Sequence, residues 1–197
     1  GGTIARLAST QEVHIAILGE GVTGRSMDRT KADQTKIDNL VSEARQVSKL
    51  LGAKSISFDG LPDNRFDTIP LLDVAKCVER IIEEFSPSVV FTHHPGDLNI
   101  DHQVTFRSVL TATRPAGAPG EVSDIYSFEI PSSTEWSFQM LSPPFKPTIF
   151  YDVTDTIELK IQGMEGYRSE TRPFPHPRSP QALRAIARRW GSVIGVP

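Results

Sequence analysis

Three histidines, two aspartates and one asparagine fall within residues 93–102. They follow a β-rich apolar run at 88–92, which is typical of a buried strand covered on both faces. Neutral imidazole and carboxylate groups are ligands suited to Zn²⁺. The segment is therefore either part of a metal site or an ordinary polar loop in which Asp101 caps the following helix. Two potential ligands alone do not decide between these interpretations.

Two arginines, Arg25 and Arg65, each end a polar loop rich in turn-forming residues, over 19–25 and 60–65. Each loop follows a predicted strand, so we expect both guanidinium groups at the sheet edge that carries 93–102. A guanidinium there can bind hydroxyl groups, a carboxylate or a phosphate through paired hydrogen bonds. A structural or solvated arginine is the alternative for each.

His176 is flanked on both sides by proline, in a stiff, extended loop that precedes a predicted helix. Such a loop can place an imidazole for proton transfer or for stabilising an oxyanion. A surface histidine in a helix-start turn is the alternative. Segment 131–136 also follows a strand end. Residues 133–135 could contact a sugar and Trp136 could stack on it, although packing is favoured for Trp136 and a turn for Ser133.

Hydrophobic periodicity indicates the elements that must position these residues. Strands and helices alternate through the first 115 residues, which predicts an α/β, Rossmann-like fold of three layers (α/β/α) with a mostly parallel sheet. In such sheets ligands bind outside the carboxyl ends of the strands. The predicted strands cover 13–18, 55–58, 88–92, 126–130 and 148–153; the helices cover 4–8, 30–51, 71–85, 102–113, 155–167 and 180–190; a Pro/Gly-rich loop covers 114–120.

The composition limits the class of protein. A length of 197 residues suits one domain, and a net charge of -3 without a Lys/Arg block argues against a nucleic-acid partner. The single cysteine, Cys77, excludes an internal disulfide and fits a cytoplasmic location. No apolar run is long enough to span a bilayer. We expect a small-molecule substrate, and a homo-oligomer is left open.

Four sequence motifs, at 1–5, 19–23, 61–65 and 97–102, occur in an order that resembles the LmbE-like family, also called PIG-L. Its members are zinc-dependent de-N-acetylases that act on N-acetylglucosamine units of glycolipids, thiol precursors, antibiotics and chitobiose. The resemblance spans nearly the whole chain. Segments 131–136 and 175–179 are similar to one bacterial branch of the family.

This resemblance implies a zinc ion at the strand ends. In the family, zinc is held by a His and an Asp of an Ala-His-Pro-Asp-Asp-Glu segment and by a later His, which matches His102. We expect that segment just before Gly1, together with the general base, an Asp. The chain as given lacks both, as well as the first strand, so we expect this single domain, 1–197, to be inactive by itself and the parent protein to be active.

The other site residues follow from the same resemblance. Arg65 matches the family's sugar-binding arginine, and Arg25 is assigned to a more distal part of the substrate. Many members carry His-Pro-Asp-His at 99–102, and the first of these His assists the transition state. Asn99 stands in place of that His in this chain. We hypothesise that His176, from the same subunit or a neighbouring one, supplies the imidazole and protonates the leaving amine.

The predicted function is thus hydrolysis of an N-acetyl group from an amino sugar or sugar conjugate. The alternatives are a sugar- or nucleotide-binding module without catalysis, and a zinc hydrolase acting on another amide. Asp101 is expected to orient a zinc ligand, and Asp97 to do the same for either His94 or His102. The predicted catalytic residues are Asp97, Asp101 and His176, the substrate-binding residues are Arg25, Arg65 and Asn99, and the metal ligand is His102.

Overall fold

The computed structural model describes residues 1–115 and 122–196, which divide into two compact units. The first unit comprises Gly1–Ile17, Asp33–Ser57 and Pro147–Pro197, and the second comprises Leu18–Ala32 and Phe58–Lys146. Most of the predicted Pro/Gly-rich loop at 114–120 lies outside the described residues. All the predicted site residues except His176 belong to the second unit.

Helices and strands alternate as predicted, and the α/β class is confirmed. The helices are α1 (Gly2–Ala8), α2 (Gln34–Leu50), α3 (Leu71–Phe85), α4 (Ile100–Ala112), α5 (Ile157–Gly166) and α6 (Pro180–Ile194). The strands are β1 (His14–Gly19), β2 (Ser55–Leu61), β3 (Val89–His93) and β4 (Asp124–Phe128). In the described part of the chain, no helix is long and apolar enough to cross a membrane.

The strands form two pairs. β1 pairs with β2, and β3 pairs with β4 in parallel, with Val89 opposite Asp124 and His93 opposite Phe128. A parallel pair brings the carboxyl ends of both strands to one edge. The polar segments that follow β3 and β4 therefore begin side by side.

The core of the second unit lies where α3 packs against α4. Val74 and Val78, one helical turn apart on α3, are buried with Val104 and Val109 of α4. Phe66, which is only 2% exposed, joins the same cluster from the turn after β2. This packing fixes the first turn of α4 beside the end of β3.

The first unit has a smaller core. Ala5 of α1 is buried with Val47 and Leu51, which lie at the end of α2. Leu159 of α5 and Tyr167 pack against this cluster. These contacts connect helices that are far apart in the sequence.

Two predicted helix starts were wrong, because side-chain caps begin each helix at another residue. α2 begins at Gln34 instead of residue 30, since Asp33 accepts a hydrogen bond from the Thr35 N–H. α4 begins at Ile100, and its cap is Asn99, whose side chain accepts from the Asp101 N–H. Asp101 is therefore not the cap and has its carboxylate available for other partners.

Two predictions about strands were also wrong. Residues 148–153 form no strand; instead, the Arg6 guanidinium donates to the backbone carbonyl of Asp152. β-branched residues favour a strand only where a partner edge and a packing surface exist. β3 is not covered on both faces, because Phe91 is 36% exposed.

Candidate active site

Asp97 is a completely buried carboxylate in the loop between β3 and α4. Its Oδ1 accepts hydrogen bonds from the Asn99 N–H at 2.8 Å and from the Ser133 hydroxyl, and its Oδ2 accepts from the Thr134 hydroxyl at 2.8 Å. A buried charge needs such partners, because leaving water without them costs several kcal/mol. Asp97 therefore ties the segment after β3 to the segment after β4.

The same carboxylate contacts His102 on the first turns of α4. Asp97 Oδ1 lies 3.0 Å from His102 Nδ1, although the ring orientation leaves this nitrogen without a well-aligned hydrogen bond among the described residues. Burial raises the pKa of Asp97, but the interactions with His102, Ser133 and Asn99 together outweigh it and lower this pKa to about 2. Asp97 is thus ionised beside the imidazole.

A second imidazole covers the face of His102. The rings of His93 and His102 stack with centroids 4.1 Å apart and planes inclined by 10°. Phe128 contacts His93 in turn, at a centroid distance of 5.3 Å. Burial, together with the nearby His102, lowers the pKa of His93 to about 3, so this ring is neutral.

His94 belongs to a different environment from its neighbour. Its Nε2 donates to the Pro143 carbonyl at 2.8 Å, and its ring meets Phe145 edge to face. Asp97 therefore supports His102 and not His94, a choice that the sequence left open. Gly96 packs here against the backbone of 141–143.

Asp101 holds the loop that follows β2. Its carboxylate accepts from the backbone N–H of Asn64 at 2.6 Å and of Phe66 at 2.9 Å. Asn99 adds a side-chain bond to Asn64 at 3.2 Å, and Asn64 has a φ of 54°. Burial raises the pKa of Asp101, and the two backbone hydrogen bonds only partly oppose it. Asp101 thus positions the loop that bears Arg65.

Arg65 and Arg25 lie on neighbouring loops of the second unit. The Arg65 guanidinium donates to the carbonyls of Ser26 at 3.3 Å and Met27 at 3.2 Å. These two residues directly follow the turn that ends in Arg25. The Arg25 side chain is exposed, whereas Arg65 is half-buried. The structure therefore brings both arginines onto connected loops, and Asn99 and Asp101, at the start of α4 next to His102, hold the loop of Arg65.

His176, by contrast, belongs to the first unit. Its Nδ1 accepts a hydrogen bond from the Arg178 N–H at 3.0 Å, and its carbonyl accepts from the Ser179 N–H at 2.9 Å. Because Nδ1 accepts, the neutral ring carries its proton on Nε2.

Sequence reasoning missed the roles of His93, Ser133 and Thr134. The three consecutive hydroxyl residues at 132–134 were the available signal, and they were assigned to sugar contact or a turn. They are buried, and the last two bind Asp97. The exposed side chains of this segment lie further on, at Trp136 (43%), Phe138 (79%) and Met140 (83%).

A histidine whose ring nitrogen contacts a buried carboxylate has the arrangement typical of metal ligands, in which the carboxylate orients the ring. His102 with Asp97 therefore fits the part of one zinc ligand. Within residues 1–115 and 122–196, no group of three or more His, Cys, Asp or Glu side chains could hold a metal ion. The described residues thus include one histidine with the contacts of a metal ligand, and not a complete site.

Comparison with known proteins adds a family and a fold. The profile of the family described as "PIG-L: GlcNAc-PI de-N-acetylase" matches residues 1–113. Curated protein sequences gave no match.

Three solved structures share the fold. A conserved protein from Thermus thermophilus aligns with a TM-score of 0.71 and 22% identity over 99% of this chain and 82% of that chain. N,N'-diacetylchitobiose deacetylase from Pyrococcus horikoshii gives 0.71 and 22% over 99% and 73%. GalB, the 4-carboxy-2-hydroxymuconate hydratase from Pseudomonas putida, gives 0.72 and 19% over 98% and 80%. At these identities the likeness establishes the fold alone.

Replacing Gly96 with Ala tests the packing beneath the site. An added Cβ would lie 2.2 Å from the Pro143 carbonyl oxygen and 2.9 Å from His94 Nε2, so the backbone must move. We expect a loss of about 1–3 kcal/mol in the free energy of unfolding in urea. Gly19→Ala is the control, since its Cβ meets only Phe66 and Leu61 atoms at 3.4–3.8 Å. Equal stability of the two variants would contradict the packing described.

Asp97→Asn tests the buried carboxylate. At neutral pH we expect the variant to lose about 2–3 kcal/mol of unfolding free energy, because hydrogen bonds to a charged acceptor are lost. The depressed pKa of Asp97 stabilises the folded state above its ordinary value of 3.8, and this contribution disappears as the pH falls through about 2. The difference from wild type should therefore shrink between pH 4 and 2. Asp67→Asn, at an exposed carboxylate, is the matched control for the substitution itself. A constant difference between Asp97→Asn and wild type over this pH range would refute this account.

Proposed function

Because the chain belongs to the GlcNAc-PI de-N-acetylase (PIG-L) family, we propose that it hydrolyses the N-acetyl group of an amino sugar or sugar conjugate. The products are acetate and the free amino sugar. The observation that carries this proposal is the buried Asp97 held against His102, at the edge where the strand ends and the arginine loops meet. The fold shared with a chitobiose deacetylase also supports an acetylated sugar as substrate.

We propose zinc as the cofactor, with His102 as one ligand. The family resemblance assigns the remaining ligands and the general base to a His-Pro-Asp-Asp segment, a motif that these 197 residues do not contain. A zinc ion bound there supplies a Lewis acid and a water of lowered pKa. The contribution of this chain is the supported imidazole and the loops around it.

The other residues divide into two groups by their contacts. Asp97 keeps the imidazole of His102 in place, and Asp101 and Asn99 fix the loop at 64–66. Arg65 and Arg25 are then presented on adjoining loops, and we assign them to the sugar and to a more distal group, such as a phosphate. A fixed loop positions a guanidinium with little loss of side-chain entropy on binding.

The proposal is tested by zinc content and acetate release in the protein with its complete natural sequence, using a panel of N-acetylated sugars and sugar conjugates. We expect His102→Gln to lose bound zinc and to lower kcat/KM by more than the roughly 10–100-fold typical of changes to residues that only support a ligand. His14→Gln is the matched control, because His14 bonds Ser55 in the first unit. The 197-residue chain alone should release no acetate.

Two results would reject the proposed deacetylase activity. Binding of a sugar or nucleotide without acetate release would indicate a non-catalytic module. Turnover of other amides, or hydration of an unsaturated acid as named for GalB, would assign another reaction to this fold.

We propose in addition that His176 protonates the leaving amine. The support is its proline-flanked loop, which restricts the position of the ring. The donor must be the imidazolium, so Nδ1 has to gain a proton and release the hydrogen bond from the Arg178 N–H before Nε2 gives its proton to the amine. His176→Ala should lower kcat by about 10²–10⁴-fold, the usual contribution of a general acid, with an unchanged urea midpoint. The pH profile of kcat should also lose the limb that reports the acid. Unchanged turnover would end this assignment.

A further inference from the structure

We propose that His93 is a positioning residue for His102, holding its imidazole by face-to-face stacking. This inference rests on the proposed function, in which His102 is a metal ligand. His93 ends β3, and His102 lies on the α4 helix that follows the intervening loop. Their rings are parallel to within 10° at 4.1 Å between centroids. Asp97 contacts the edge of the same ring, at Nδ1.

The two contacts restrain different motions. A histidine side chain has two soft torsions, and a contact at one ring nitrogen leaves the ring able to tilt about the line from Cβ to that nitrogen. A flat surface packed on the ring face removes this tilt. Asp97 and His93 together therefore fix both the position and the plane of the His102 imidazole, and a metal ligand needs both.

His93 is itself held in place. Its backbone lies in register opposite Phe128 in the parallel pair of β3 and β4, and the ring of Phe128 packs on it at 5.3 Å. The support for His102 therefore leads back to two paired strands and not to a mobile loop. A side chain locked by packing on a strand holds its neighbour more accurately than one on a loop.

Burial of His93 makes an unfavourable contribution to the free energy of folding. Its Nδ1 is buried without a hydrogen-bond partner among the described residues. An unpaired buried polar atom lowers stability relative to an apolar side chain of the same shape. Buried polar atoms without a hydrogen-bond partner require an explanation in a native structure, and a role in a functional site is one explanation. The feature used in the proposal is the flat ring, so another flat ring must be able to replace it.

The test compares two variants, His93→Leu and His93→Phe, in the protein with its complete natural sequence. Both replace the imidazole with a buried apolar side chain, but only Phe offers a flat face. We expect His93→Leu to weaken the affinity for Zn²⁺ and to lower kcat by about 10–100-fold, with KM changed less than about threefold. Phe should restore both values to within about threefold of wild type.

The control is His94→Leu. His94 is the adjacent buried imidazole, and it contacts Pro143 and Phe145 instead of His102. We expect it to leave the Zn²⁺ affinity and kcat within about threefold of wild type. An equal loss in His94→Leu and His93→Leu would show general destabilisation and would overturn the proposal, as would a Phe variant as impaired as Leu.

Nuclear magnetic resonance of the His102 ring gives a readout that does not depend on activity. Stacking shifts the ring proton signals of His102 upfield. The variant His93→Leu should abolish this shift, and His93→Phe should keep it. If wild type releases no acetate, the proposed function fails while this measurement still decides the stacking. Unchanged His102 signals in His93→Leu would overturn the positioning role.

Discussion

The candidate site depends on one buried carboxylate, Asp97, and on its ability to remain charged. An isolated charge in a protein interior is strongly unfavourable, so its partners must arrive together. These partners come from three places: the next turn of the chain, the first turns of α4 through His102, and the segment after β4 through Ser133 and Thr134. The hydrogen bonds and charge interactions that stabilise the Asp97 carboxylate therefore hold three segments of the chain together, in addition to the hydrophobic packing.

A second carboxylate, Asp101, performs a related task with a different balance. Asp97 is stabilised as an anion by its imidazole and hydroxyl partners, whereas Asp101 binds two backbone N–H groups and lies near Asp63. Burial raises the pKa of Asp101, with a smaller contribution from Asp63, whereas the partners of Asp97 outweigh its burial and lower its pKa. Four positions apart in the sequence, the two aspartates serve different loops: Asp97 secures the metal-ligand candidate, and Asp101 secures the loop of Arg65.

Local patterns in the sequence were sufficient for much of the fold. The apolar stripe of α3 and its end at Phe85 were predicted correctly. Contacts between distant residues were not predictable in this way, because the pairs of Asp97 with Ser133 and Thr134 are separated by 36 and 37 positions. The cap of α4 was assigned to Asp101, but Asn99 holds that position, and the carboxylate of Asp101 instead binds the backbone of Asn64 and Phe66. The stacking of His93 on His102 was not predictable either, because it depends on how β3 lies beside α4.

The segment after β4 has its two anchors at its beginning. Ser133 and Thr134 are fixed by Asp97, whereas Phe138 and Met140, a few residues on, are largely exposed to solvent. Mutations in the exposed part therefore leave the support of His102 untouched. The outer surface of this segment can therefore vary in sequence while its inner half keeps the hydrogen bonds to Asp97.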